Sequence, residues 1–287
     1  MEWKRLRLED KPIIDQALRE HPLRLSDYPF TNLWFWDIHR HYTIATVDGF
    51  LCIRFVDEKN KNSVFLYPIG SGSRKSLIEK LSESEARFRM RAVPEEGIAE
   101  LQGLPLFIEA ETAHFDYIYS YDDLLNLAGD HFQAKRNFIH QFEQKYLFQY
   151  KEISFSLLPK IIAAEEEWFN DHTNPNDGMR REHEATLRGL KDFEFLNVYG
   201  GAIIIDNKVV AYSVAEYISE EMLLIHIEKA LKGYKGAYAM INQQMLLHLK
   251  PVSFVNREED LGLDNLFKVK QSYHPIQLVK KFVISKT

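Results

Sequence analysis

Residues 252–275 constrain the fold more than any other part of the chain. Residues 252–255 form an apolar run rich in β-branched side chains, residues 256–260 carry one amide and four charges, and Gly262 permits a turn. A short amphipathic segment then runs to Pro275, which ends it. This order predicts a strand whose end presents polar side chains, followed by a short helix.

Lys270 lies on the apolar side of that predicted helix. Residues 263–273 place four side chains at helical spacing on one side: Leu263, Leu266, Lys270 and Tyr273. A cation on such a stripe needs a carboxylate, a phosphate or water as a partner. The alternative is a lysine at a helix end whose stem is buried while its ammonium reaches water.

A second inward lysine is predicted on a helix around residues 132–146. The apolar stripe of this helix consists of Phe132, Ile139, Phe142 and Tyr146. Lys135 lies in the middle of the stripe, and an inward charge indicates either a site or an ion pair that joins two domains. We expect Lys135 and Lys270 to face one cleft between the two halves of the chain and to share carboxylates such as Glu258 or Asp260.

Four motifs carry a resemblance to a known family. Residues 256–262 read N-R-E-E-D-L-G, residues 266–275 read L-F-K-V-K-Q-S-Y-H-P, and residues 280–282 read K-K-F. Residues 123–142 fit the spacing D-L-x-x-L-x-G-x-x-x-x-x-K-R-N-x-I-x-x-F. Together these motifs resemble the signatures of the phosphatidylglycerol lysyltransferase C-terminal domain family, with Val269 where that family usually has a small residue.

The order of elements after residue 200 is similar to the acyl-transfer half of the GCN5-related N-acetyltransferase (GNAT) fold. A hairpin, a strand at 222–228, a glycine-bearing basic loop, a helix and a further strand follow one another. The family resemblance implies an α+β protein of two tandem GNAT-like (acyl-CoA N-acyltransferase) domains, each a mixed central sheet flanked by helices. A length of 287 residues also favours two cores. We expect the domains at residues 1–148 and 149–287.

The loop at 229–238 is the candidate anion-binding segment. Backbone N–H groups and the positive end of the helix dipole favour phosphate at a helix start. In GNAT enzymes the corresponding loop holds the coenzyme A pyrophosphate, so the resemblance makes Lys232, Gly233, Gly236 and Ala237 the candidate cofactor-binding residues. A tyrosine and long basic side chains in this loop would crowd a pantetheine. We therefore expect no cofactor, with coenzyme A as the alternative.

Charge is distributed unevenly along the chain. Residues 229–287 carry ten Lys or Arg against four Asp or Glu, a balance of +6, which leaves −12 for residues 1–228. This asymmetry predicts a basic face toward a phosphate, or an interface that balances the acidic half. The single cysteine, Cys52, excludes an intrachain disulfide and a cysteine metal cluster, and we expect no metal. Without a long apolar run or a signal peptide, we expect a cytoplasmic protein with no transmembrane segment.

The resemblance implies an aminoacyltransferase that moves an aminoacyl group from charged tRNA to an acceptor hydroxyl or amine on a lipid or small molecule. Such chemistry needs an acid or base, donors for an oxyanion and cations for the tRNA phosphates. We expect the catalytic residues to be Glu258, Asp260 and Tyr273. We expect the substrate-binding residues to be Lys135, Arg136, Glu228, Lys229, Asn242, Arg257, Lys268 and Lys270.

Within that set, the lysines and Arg136 are expected near phosphate, Glu228 near the donor amino group, and Asn242 and Arg257 as positioning groups. Asn242 also falls on an apolar stripe, where a core amide is an equal alternative. Two other functions remain open. One is an acyl-coenzyme A N-acyltransferase acting on a small amine or peptide, and the other is a binding module without catalytic activity.

Overall fold

Runs of β-branched and aromatic residues build two mixed sheets in the computed structural model, which describes residues 2–58 and 60–286. The strands are β1 (Lys4–Arg5), β2 (Thr43–Val47), β3 (Phe50–Val56), β4 (Ser63–Leu66), β5 (Arg89–Pro94), β6 (Phe107–Ala110), β7 (Asp116–Ser120), β8 (Gln149–Glu152), β9 (Tyr199–Ile205), β10 (Lys208–Ser219), β11 (Met222–Ala230), β12 (Phe254–Asn256), β13 (Gln277–Val279) and β14 (Lys281–Ser285). The helices are α1 (Lys11–Glu20), α2 (Phe30–Arg40), α3 (Arg74–Ser84), α4 (Glu95–Glu100), α5 (Tyr121–Asn126), α6 (Gln133–Lys145), α7 (Leu158–Asn170), α8 (Asp177–Lys191), α9 (Phe193–Leu196), α10 (Ala237–His248) and α11 (Asp264–Gln271). The predicted α+β class is confirmed.

The first sheet has the order β1-β2-β3-β4-β5-β14-β6. β2 and β3 form a hairpin, and its turn uses Asp48 and Gly49 at φ values of 51° and 84°. β4 runs parallel to β5, and β14 lies antiparallel between β5 and β6. The strand nearest the carboxyl end of the chain thus completes a sheet whose other strands all precede residue 111.

Lys281, the first residue of β14, is the centre of a buried charged cluster in this first part of the fold. Its side chain is 1% exposed, and its Nζ lies 2.7 Å from Asp27 Oδ2, 2.8 Å from Asp116 Oδ1 and 3.1 Å from Glu259 Oε2. Lys281 also donates to Ser26 Oγ at 2.9 Å. Burial alone would lower the pKa of Lys281, but the three carboxylates hold that pKa well above its usual value. Four separate segments of the chain therefore meet at one ammonium.

The second sheet has the order β13-β7-β12-β11-β10-β9-β8. Strands β9, β10 and β11 are antiparallel, whereas β12 pairs parallel with β11. Helix α10 packs on β9, β10 and β11 and contacts α5 and α6. Seven of its first ten residues are buried, as expected of a helix that packs into a core. Helix α7 also packs on β10 and β11.

The chain divides into two compact units that are each discontinuous. The first comprises residues 1–116, 259–267 and 278–287, and the second comprises residues 117–258 and 268–277. The predicted division after residue 148 differs from this one. Residues 117–145 belong with the second unit because β7 pairs with β12 and because α5 and α6 pack on α10. Within residues 2–58 and 60–286, no helix combines the length and apolar composition needed to cross a bilayer.

Candidate functional site

The candidate site lies where β11 and β12 stop pairing in the second unit. The two strands pair only from Met222 with Phe254 to Leu224 with Asn256. β11 then continues to Ala230, and its register against β10 shifts next to His226, which marks a bulge. Side chains from β11 meet those that follow β12 at this point.

Glu228 is the centre of these contacts. Its Oε1 accepts a hydrogen bond of 2.7 Å from Arg257 Nη2, and its Oε2 accepts one of 3.0 Å from Asn242 Nδ2. The Glu228 and Arg257 side chains are only 11% and 9% exposed. The structure therefore brings together three residues that the sequence had assigned to substrate binding. Asn242 is buried and paired, so its amide is also satisfied as a core amide would be.

Lys135 reaches the same group of residues from α6. Its Nζ donates to Ser272 Oγ at 2.7 Å and lies 3.8 Å from the centre of the Tyr273 ring. The Arg257 guanidinium lies 4.6 Å from the same ring. Burial, and then the charge of Arg257, lower the pKa of Lys135 to about 8, while Glu228 opposes that shift. Lys135 can therefore gain and lose a proton near neutral pH.

We call Lys135, Glu228, Asn242, Arg257, Ser272 and Tyr273 the Glu228 cluster. It contains two cations and one carboxylate, so it offers donors to a ligand oxygen and an acceptor, Glu228, to a ligand group that donates hydrogen bonds. Burial raises the pKa of the Tyr273 phenol above its usual value. Tyr273, predicted to be catalytic, therefore keeps its proton and contributes a ring face and a hydroxyl donor.

The prediction that Lys135 and Lys270 share Glu258 or Asp260 is wrong for Lys135, whose contacts are Ser272 and the Tyr273 ring. Lys270 donates to the main-chain carbonyls of Arg257 and Glu258. The sequence does not predict these partners, because every residue has a main-chain carbonyl and its identity does not show which carbonyl accepts a hydrogen bond.

His226 also belongs to the site, although no pattern in the sequence pointed to it. The ring contacts Glu258 Oε1 through Nδ1 at 3.0 Å and Glu216 Oε1 through Nε2 at 2.8 Å. Burial alone would lower the pKa of His226, but hydrogen bonds to the two carboxylates raise it to about 9. The predicted catalytic Glu258 is therefore held by an imidazolium, at a backbone φ of 55°. Strand register, which depends on distant pairing, creates this contact.

Four other predicted residues have different surroundings. Lys229 is buried and forms ion pairs of 2.9 Å with Glu165 and 3.2 Å with Glu182, which corrects its expected contact with phosphate. Arg136 donates to the carbonyls of Leu127 and Gly129 at the end of α5, so its guanidinium caps a helix rather than facing a phosphate. Asp260 lies in the first unit, where its Oδ1 accepts from the Gly262 N–H at 2.8 Å, a turn contact. Lys268 is exposed on α11.

The predicted anion-binding loop borders a cavity of about 460 Å³ in the second unit. Its lining includes Lys232, Gly233, Gly236, Trp168, Asp171, His172, Tyr234, Lys235 and Tyr238. Gly236 has a φ of 94°, and a Cβ there would lie 2.4 Å from the Phe138 carbonyl oxygen, so α6 fixes the loop at this glycine. Ala237 is buried at the start of α10, while Lys232 and Lys235 are exposed.

Comparison with known proteins agrees with this architecture. A family model described as "Phosphatidylglycerol lysyltransferase, C-terminal" matches residues 19–285. L-PGS from Bacillus licheniformis superimposes with a TM-score of 0.66 at 13% identity, covering 96% of this chain and 92% of that chain. A tandem GNAT protein from the clavulanic acid biosynthesis pathway gives a TM-score of 0.53 at 8% identity, covering 100% and 98%. The predicted tandem GNAT-like fold is confirmed.

A conserved protein of unknown function from Bacteroides thetaiotaomicron is also similar, at 30% identity and a TM-score of 0.93, with 100% of both chains covered. The family model spans nearly the whole sequence, and the motifs that carried the resemblance lie within it. This chain therefore belongs to the phosphatidylglycerol lysyltransferase C-terminal family.

Proposed function

We propose that this protein is an aminoacyltransferase that moves an aminoacyl group from charged tRNA to a hydroxyl or amine on a lipid or small-molecule acceptor. The name of its family denotes transfer of a lysyl group to phosphatidylglycerol, which supports this reaction class. The observation that carries the proposal is the Glu228 cluster. There, Lys135 has a pKa of about 8 and lies beside Arg257, a second cation.

The cluster suits direct attack on the ester that joins an amino acid to tRNA. With a pKa of about 8, roughly a quarter of the Lys135 side chains are neutral at about pH 7.5. A neutral Lys135 accepts the proton of the acceptor hydroxyl as its oxygen attacks the carbonyl carbon. Arg257 Nη1 donates to the oxyanion that forms. The bond to the terminal ribose oxygen then breaks, and that oxygen takes the proton from Lys135.

The cavity beside the loop suits the terminal nucleotide of the tRNA. Trp168, Tyr234 and Tyr238 supply aromatic surfaces on which a base can stack. The exposed Lys232 and Lys235 lie at the same cavity, where they can meet phosphates. We assign the two lysines to tRNA binding.

An acyl-coenzyme A donor is the second candidate. Gly233 and Gly236 precede the amino terminus of α10, a position that favours a pyrophosphate. Against this donor, the ion pair of Glu228 with Arg257 bridges the ends of β11 and β12, and Tyr234 occupies the loop. These contacts favour a donor that is held at the rim of the cavity.

The test is the salt dependence of aminoacyl-tRNA binding. We expect the Lys232→Ala/Lys235→Ala variant to bind more weakly and to flatten the log–log salt slope by about one to two units. The variant Lys191→Ala/Lys250→Ala removes two exposed lysines from α8 and the α10–β12 connection and should leave the slope unchanged. Tight, stoichiometric binding of acetyl-coenzyme A without salt-sensitive tRNA binding would favour the second candidate. Binding of tRNA without any transfer of a labelled aminoacyl group would indicate a non-catalytic module.

A further inference from the structure

Two polar atoms at the Glu228 cluster are buried without a hydrogen-bond partner in the part of the chain that the structure describes. They are Ser213 Oγ and Arg257 Nη1. Ser213 is fully buried, and the Arg257 side chain is more than nine-tenths buried. Buried polar atoms in native proteins nearly always have partners, because an unpaired one is destabilising. These two atoms are therefore available to a bound group or to a buried water.

Strand register places both atoms beside Glu228. Ser213 on β10 is directly opposite Glu228 on β11, so the two side chains lie on one face of the sheet with Cβ atoms about 4.5–5.5 Å apart. The neighbouring residue Tyr212 points to the other face, where its hydroxyl donates to Glu165. Arg257 reaches Glu228 from the end of β12 through Nη2, which leaves Nη1 for another acceptor. Both residues with an unpaired group therefore neighbour Glu228.

Resting on the proposed function, we infer that Ser213, Glu228 and Arg257 bind the aminoacyl group itself and distinguish it from a plain acyl group. Arg257 Nη1 can only donate, so it binds the carbonyl oxygen. Ser213 Oγ and the remaining lone pairs of Glu228 accept hydrogen bonds from the α-ammonium. A plain acyl group has no ammonium and leaves Ser213 unpaired, so the site disfavours it.

Entry to this site requires a side-chain movement, because both unpaired atoms are shielded from water. Lys135 is the half-buried member of the cluster that is held by one hydroxyl and one ring face. Its displacement would leave the ion pair between Arg257 and Glu228 intact, because Lys135 makes no hydrogen bond to either residue.

The experiment compares ligands that differ only in the α-amino group. Isothermal titration of the full chain with the standard L-amino acid amides identifies the tightest, and the same amide without its α-amino group is then titrated. We expect the wild type to bind the amino acid amide at least about tenfold more tightly than its des-amino counterpart. Ser213→Ala should weaken binding of the amino acid amide about tenfold and leave the des-amino amide unaffected. Ser219→Ala, an exposed serine on the same strand, should change neither.

A loss of folding would not explain weaker binding by Ser213→Ala. Ser213→Ala removes no hydrogen bond of the chain, so its thermal midpoint should equal or exceed that of the wild type. Unchanged amide binding by Ser213→Ala would overturn the inference and assign the hydroxyl to a trapped water. Equal binding of both ligands by the wild type, or binding of neither, would also overturn it. In each case the salt dependence of tRNA binding decides the proposed function separately.

Discussion

Replacing Lys281 by methionine should strongly lower the free energy of unfolding of the first unit. The substitution keeps a long side chain but leaves Asp27, Asp116 and Glu259 around a site with no cation, where Asp116 is fully buried. Removing one partner of a buried ion pair costs about 3–5 kcal/mol. We therefore expect the unfolding equilibrium of the first unit to shift by roughly 10²- to 10⁴-fold. Urea denaturation followed by circular dichroism and by fluorescence measures this shift.

The adjacent lysine provides a matched control. Lys280 contacts Glu95 at 2.6 Å, but the two side chains are 47% and 60% exposed, so Lys280→Met should cost less than about 1 kcal/mol. Adding Asp116→Asn to the Lys281→Met variant should recover part of the lost stability, because it removes an uncompensated buried charge. Equal losses for the two lysine variants would refute the reasoning. So would strict additivity of Lys281→Met and Asp116→Asn.

Three further predictions concern the second unit. Lys135→Met should lower kcat for aminoacyl transfer by about 10²- to 10⁴-fold and abolish the rise in rate around pH 8, and a pH–rate profile that keeps this rise would contradict the role of Lys135 as a base. Gly236→Ala should lower the free energy of unfolding in urea more than Gly233→Ala does. Both glycines have a positive φ, but only at Gly236 would a Cβ lie 2.4 Å from the Phe138 carbonyl oxygen. Equal losses of stability would argue against that contact. The pKa of His226 is raised from 6.5 to about 9 by folding, so its stabilisation is complete below pH 6.5 and is lost as the pH rises to about 9. His226→Gln should reduce this pH dependence of the free energy of unfolding, and an identical dependence would show that another group causes it.

Local patterns in the sequence predicted much of the architecture. The order predicted after residue 200, a hairpin followed by a strand, is observed as β9, β10 and β11. The predicted stripe of residues 263–273 correctly placed Tyr273 in the core and Lys270 in a half-buried position, although Leu263 is 43% exposed. Periodicity succeeds at these positions because each pattern repeats within a single element.

The site was harder to predict because it depends on pairing between distant elements. Glu228 and Lys229 were both assigned to it, yet consecutive residues of a strand point to opposite faces, and Lys229 meets Glu165 and Glu182 instead. Ser213 was missed because only its register opposite Glu228 gives it significance. A local sequence pattern cannot reveal such contacts, because the two partners lie on different elements of the chain.

The position of β14 has a consequence for the order of events during synthesis. While the ribosome is still translating, β5 and β6 can both be complete, but the strand that lies between them has not been made. The fully buried Asp116 likewise lacks the ammonium of Lys281, without which its burial is costly. The first unit therefore completes its sheet only after the whole second unit has been made, the reverse of the usual order along a nascent chain. Until residue 281 emerges, the edges of β5 and β6 that will pair with β14 can pair with a strand of another chain.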